Sequence, residues 1–196
     1  MKKTLITIGI IVLFVILLFA FIVSPYNRMV SKEETVSSQW AQVENVYQRR
    51  LDLIPNLVNT VKGYADFEKS TLTGIIEARA KATSIRLDPA KLDEKSLEKF
   101  QQVQGELSSA LARLMVVSER YPDLKANQNF LDLQAQLEGT ENRIAVERKK
   151  FNEVVQEYNR YVRVFPQNMV AGIFGFERKG YFKSAVGAEK APEVKF

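Results

Sequence analysis

The sequence predicts an all-α protein: an N-terminal transmembrane helix, an elongated antiparallel three-helix bundle, and an irregular C-terminal tail. Three observations predict it. Residues 4–23 carry no charge. Apolar residues recur at steps of three and four over most of residues 36–165. No stretch of comparable length alternates as a strand would. The domain limits that follow are 1–25 for the anchor, 26–166 for the bundle and 167–196 for the tail.

The anchor comes first. TLITIGIIVLFVILLFAFIV, Thr4 to Val23, would rise about 30 Å as a helix, the thickness of a bilayer's hydrocarbon core. A cleaved signal peptide has a shorter apolar core and a small-residue cleavage site, and Ile22-Val23-Ser24-Pro25 offers none. Lys2 and Lys3 flank one end, Arg28 and Lys32 the other, so the positive-inside count is near a tie. The terminal amine tips it towards N-in, which places the bundle outside the cytoplasm.

The first bundle stretch carries Val36, Trp40, Val43, Tyr47, Leu51, Ile54, Leu57, Val61 and Tyr64 on one face. The pattern continues through Leu72, Ile75, Ile76 and Arg79 towards Ile85. Two residues in it look out of place. Pro55 removes a backbone donor and crowds the Leu51 carbonyl, at about 3 kcal/mol. The unbroken apolar phase around it predicts a kink, against the alternative of a helix ending at Ile54 and restarting at Asn56. Arg50 stands seven residues from both Val43 and Leu57, on the buried face. It either pairs with Glu147 or Glu141 and fixes helix register, or snorkels to solvent.

RLDPAKLDEKS, Arg86 to Ser96, reads as a turn, with Asp93 or Ser96 capping the second helix. That helix buries Leu97, Phe100, Val103, Leu107, Leu111, Leu114 and Val117 and ends before Tyr121-Pro122. The third is a heptad series: Phe130, Leu137, Ile144, Phe151, Tyr158 and Phe165, with Leu133, Thr140, Glu147, Val154 and Tyr161 three positions later. Thr140 and Glu147 are polar residues at core positions. Pro166 stops the pattern.

The tail is too apolar for a free linker and too rich in glycine for a long helix. Two readings stand: a segment folded back on the bundle, or an interaction patch of Phe174, Phe176, Tyr181 and Phe182 flanked by Arg178, Lys179 and Lys183. The final AEKAPEVKF reads as flexible.

Composition narrows the chemistry. The chain has no Cys and no His, which removes thiol and imidazole catalysis and the usual zinc sites. Paired acids occur at Glu33-Glu34, Asp93-Glu94 and Glu138 with Glu141, but carboxylate metal bundles add a Glu-x-x-His motif that is absent. No phosphate-binding glycine loop or nucleophile elbow is present. The net charge is +5 and not clustered, unlike a nucleic-acid footprint. The sequence therefore points to no catalytic residue, no metal, no cofactor and no small-molecule substrate.

Several stretches carry a family likeness: Tyr26-Asn27, Trp40 with Val43, RRLDLIPNLVNTVKGYADFE, YPDLKANQNFLDLQAQLEGTENRIAVERKKFNEVVQEYN, and FGFERKGYF. Over roughly residues 5–185 the chain resembles the LemA family. The resemblance implies a bacterial, membrane-anchored, antiparallel helical bundle and supplies no catalytic residue. Members often read GYA-x-H-E where this chain has Gly63-Tyr64-Ala65-Asp66-Phe67-Glu68, so a role resting on that His does not transfer to Phe67. The functional expectation is a non-enzymatic, single-pass protein of the bacterial inner membrane that binds a protein partner or a second copy of itself. The alternative is a lipid or envelope-ligand module that uses the aromatic tail.

Overall fold

A computed structural model describes residues 2–63 and 68–183, without the side chains of 2–4, 17 and 18. Tyr64, Phe67 and the final AEKAPEVKF lie outside the described residues. In order come α1 (Lys2–Lys62), α2 (Lys69–Ser84), a 3-10 turn (Pro89–Lys91), α3 (Glu94–Ser118), α4 (Pro122–Lys125), α5 (Gln128–Arg163) and α6 (Gln167–Phe174). Every one of these elements is helical, as the sequence predicts.

At 61 residues, α1 is about 90 Å long. Its first third is an apolar window with mean hydropathy 3.3, none of it buried. The rest is the central strut of the bundle. Neither Pro25 nor Pro55 interrupts the helix. Pro55 lies on the exposed face, while Ile54, Leu57 and Val58 around it are buried, so packing offsets the lost backbone bond.

The first stretch differs from expectation in one respect. It is two helices, not one running to Ile85: α1 ends at Lys62, and α2 folds back beside it. Side-chain pairings fix the directions. Arg79 on α2 reaches Leu51 on α1. Lys81 pairs with Glu106 and Glu68 with Arg120, so α3 runs antiparallel to α2. Lys32–Glu157, Gln39–Glu147 and Arg50–Glu141 set α5 antiparallel to α1. The periodicity hid the fold-back because Leu72, Ile75 and Ala78 keep helical spacing and are themselves buried.

The Arg79 contact also explains how α1 tolerates its proline. Pro55 has no N–H to give the Leu51 carbonyl. Arg79 Nε donates to that oxygen at 3.0 Å, so the acceptor is satisfied from the neighbouring helix. A charged donor to a carbonyl contributes about 1.5–3 kcal/mol. Arg79→Met is therefore expected to lower stability by about 1–2 kcal/mol after allowing for partial exposure. In a Pro55→Ala background the alanine's own N–H can take the oxygen, and the same change should cost well under half as much. Chemical denaturation of the four variants measures the difference, and equal costs in both backgrounds would refute the link.

The caps are legible. Asp93 accepts from Ser96 N–H at 2.7 Å and Asn127 from Phe130 N–H at 3.1 Å. On α5 the heptad residues from Phe130 to Tyr158 are buried, but Phe165 is 78% exposed. The helix ends at Arg163, before that position. The companion series also changes: Val155, Asn159 and Val162 are buried, while Val154 and Tyr161 are only half-buried. A straight helix drifts about 20° per heptad against a seven-residue repeat. After three heptads the position four residues after each first-series residue has replaced the one three after.

The core has two apolar halves. The distal half joins Leu51, Ile54, Leu57 and Val61 of α1 to α2, Leu107–Val117 of α3, Leu124, and Phe130–Leu137 of α5. The proximal half, nearer the apolar window, joins Met29–Tyr47 of α1 to Leu92, Leu97, Phe100, Ile144–Val162, α6 and Phe182. Thus α2 forms one wall of the distal half, and the tail takes its place in the proximal half.

Candidate functional site

Between the two halves lies a polar layer. Arg50 is 2% exposed. One guanidinium nitrogen donates to Glu141 Oε2 and to Ser108 Oγ, both at 2.9 Å. The other donates to the Gln104 carbonyl at 3.3 Å and to Gln104 Oε1. The Arg50 guanidinium lies 5.1 Å from the centre of the Tyr47 ring, and burial pushes the Tyr47 phenol up. Arg50 therefore does not snorkel, and its carboxylate partner is Glu141. Glu147 accepts instead from Gln39 at 2.7 Å and pairs with Lys150 at 2.8 Å. Those two, Lys150 first, hold its carboxyl below the usual range. Thr140 is buried and satisfied within α5, donating to the Gln136 carbonyl at 2.7 Å. Gln104 and Ser108 complete the layer, and sequence reading missed both: on the second helix they are ordinary polar residues until Arg50 is known to face them.

The predicted aromatic–basic patch is divided. Gly175 (φ 75°) ends α6 in the left-handed region, and residues 176–183 run extended along the proximal half. Three side-chain amides hold this segment by its backbone. Asn159 Oδ1 accepts from Lys179 N–H at 2.9 Å, and its Nδ2 donates to the Lys179 carbonyl at 2.8 Å. Asn152 grips Phe182 in the same way, at 2.9 Å in each direction. Gln101 grips Lys183, at 3.1 and 2.8 Å. Each amide does what a neighbouring β-strand would do. Gly180 makes this docking possible: its N–H donates to the Leu92 carbonyl at 2.8 Å, and a Cβ there would meet the Glu94 backbone at 2.9 Å.

Of the patch residues, Phe182 is buried among Trp40, Phe100 and Phe151, with ring centres 5.3–6.5 Å away. Lys179 is buried too, paired with Glu33 at 2.6 Å and donating to the Ala90 carbonyl at 2.7 Å. Phe176 and Tyr181 are half-buried; Phe174, Arg178 and Lys183 face outward. Sequence reading did not find Asn152, Asn159 or Gln101, and the available signal was weak: Asn159 is a polar residue that only the drifted face buries.

Lys183 pairs with Glu94 at 2.7 Å. That bond holds the Glu94 carboxyl below its ordinary 4.5 and raises the Lys183 ammonium. A depressed carboxyl adds stability above its unfolded value and loses it as pH falls through the lower folded value. Both side chains are exposed, so the effect is small and screened by salt. The single Trp, Trp40, stacks on Phe182 and reports the change. Its emission should shift slightly to the red as pH falls below 4.5, with the Glu94-dependent part absent in Glu94→Gln. An identical titration in the variant would refute the coupling.

Of the paired acids, Glu34 is exposed and the other five are engaged. Asp93 caps α3, Glu33 and Glu94 pair with lysines, Glu138 accepts from Gln134 at 3.0 Å, and Glu141 serves Arg50. Among the described residues no cluster of three metal-ligating side chains occurs.

The chain is similar to several known proteins. It is 26% identical to magnetosome protein MamQ 2 of Paramagnetospirillum magneticum over 191 residues, covering 88% of this chain and 70% of that protein. Magnetosome protein MamQ of Magnetospirillum gryphiswaldense gives 26% over 190 residues, covering 86% and 69%. Protein LemA of Metamycoplasma hominis gives 24% over 155 residues, covering 79% and 67%. The model of the LemA family matches residues 39–196, from the centre of the proximal core to the C-terminus, and the chain belongs to that family.

Proposed function

We propose that this chain is a non-enzymatic, single-pass membrane protein of the bacterial envelope whose bundle serves as an interaction or scaffold module. The observation that carries the reading is the continuity of α1: one helix contains both the apolar window and the bundle's central strut. Such a protein holds its distal end at a set height above the bilayer, which suits a spacer or docking post. The engagement of its acids in caps and ion pairs supports a structural use of them. The relatives called magnetosome proteins are named for a structure and not for a reaction.

Photo-cross-linking in intact membranes tests the reading. Probes replace exposed distal residues Val116 and Leu131. The expected result is a discrete cross-linked species, either a dimer of this chain or one defined heterologous product. Only monomer at both positions would overturn the scaffold reading. Protease accessibility in cells and spheroplasts tests the expected extracytoplasmic side.

A further inference from the structure

We propose that α6, with the residues leading into it, is a second membrane contact: a short foot lying in the headgroup region of the bilayer that α1 crosses. This rests on the anchor reading of α1 and adds a site to it. The first observation is the face that α6 leaves uncovered. Val170 and Ala171 are buried against the bundle, while Ile173 is 73%, Met169 56% and Phe174 49% exposed. Phe165, 78% exposed, extends the same end. Other large exposed apolar residues on the bundle, such as Ile76, Val116 and Val146, lie on different helices, and scattered singles need no partner.

The second observation is height. The Phe174 and Phe176 rings meet Tyr26 edge-on, at 4.9 and 5.6 Å. Tyr26 follows the last residue of the apolar run, Val23, by three positions, about 4.5 Å of helix rise. The uncovered face therefore sits beside the point where α1 leaves the hydrocarbon, the level at which Tyr and other amphipathic rings settle. The third observation is charge. Arg28 on α1, Arg160 and Arg163 at the end of α5, and Arg178 just beyond Gly175 are all exposed at this end of the molecule. Apolar residues at the acyl boundary with arginines among the phosphates is the arrangement of an interfacial amphipathic helix, and it selects anionic phospholipid as the occupant. Two contacts with one bilayer, one crossing and one lying flat, fix the tilt and rotation of the bundle, which a single helix leaves free.

The absence of cysteine permits a clean test on the full chain. Ile173→Cys, Ile11→Cys and Val116→Cys each carry an environment-sensitive fluorophore. The protein is reconstituted into vesicles of phosphatidylethanolamine and phosphatidylglycerol, with quenchers placed near the headgroup for Ile173→Cys and Val116→Cys and along the acyl chains for Ile11→Cys. All three side chains are exposed, so the substitutions spare the core. The expected result is quenching at Ile173→Cys several-fold above that at Val116→Cys, weakened when phosphatidylglycerol is omitted. Quenching at Ile11→Cys without Ile173→Cys overturns the foot and leaves the anchor standing. Quenching at Ile173→Cys without Ile11→Cys overturns the anchor reading, and with it a second contact, and leaves α6 as a surface contact on its own. Equal quenching at Ile173→Cys and Val116→Cys, or none anywhere, also overturns the foot.

Discussion

Phe182→Ala is expected to lower stability by about 3–5 kcal/mol, the usual cost of emptying a buried aromatic site. Phe182 is 5% exposed and touches three aromatic rings, with the Arg148 guanidinium 4.8 Å from its own ring centre. Its removal deletes the large side chain that the extended segment inserts among Trp40, Phe100 and Phe151. The loss should be local. The distal half is built from α2 and parts of α1, α3, α4 and α5 and does not use residues 176–183. Phe182→Ala should therefore free the tail before the bundle melts: trypsin should cut after Arg178 and Lys179, and Trp40 emission should move to the red. Gly180→Ala should act in the same direction through its clash with Glu94. Unchanged cleavage at Arg178 and Lys179 in both variants would show that the backbone clamps hold the segment without its anchor.

How legible all this was depended on whether the signal was periodic. The bundle, its caps and the uncharged window follow from spacing and residue type, because each is a local rule. What stayed hidden depended on contacts between distant segments. Nothing in KGYADFEK states that the next apolar residues turn back onto α1 and do not prolong it. Arg79 looked like one more position on a helical face until it met the carbonyl that Pro55 leaves free. Phe165 fitted the heptad but lies beyond the end of the helix. Asn152, Asn159 and Gln101 have partners that are backbone atoms of the tail, and backbone atoms carry no sequence signature.

Arg50 was the exception, since a charge in the middle of an apolar face is visible without its partners. Replacing it separates the pair's electrostatics from its geometry. Breaking a buried pair from one side costs about 3–5 kcal/mol. Glu141 is 56% exposed and can return to water, which puts Arg50→Met near the lower end, about 3 kcal/mol. Much of that loss belongs to Gln104, which is 4% exposed and would be left without the donor that satisfies its side-chain oxygen. Glu141→Gln should cost about 1 kcal/mol, because an exposed partner is screened. A double-mutant cycle should show coupling of Arg50 to Glu141 and none to Glu147, which serves Gln39 and Lys150. Adding Gln104→Leu to Arg50→Met should recover part of the loss, as apolar replacement of a buried polar group often does. That double variant also tests register. With the layer gone, the two apolar halves merge into one continuous stripe, and helices can slide by a turn at little cost. Cysteines placed at Gln39 and Glu147, whose side-chain ends touch in the wild-type register, should then be bridged by a short bifunctional thiol cross-linker less completely than in the parent. Undiminished cross-linking would mean that packing alone sets the register and that Arg50 is carried at a cost in stability for another purpose.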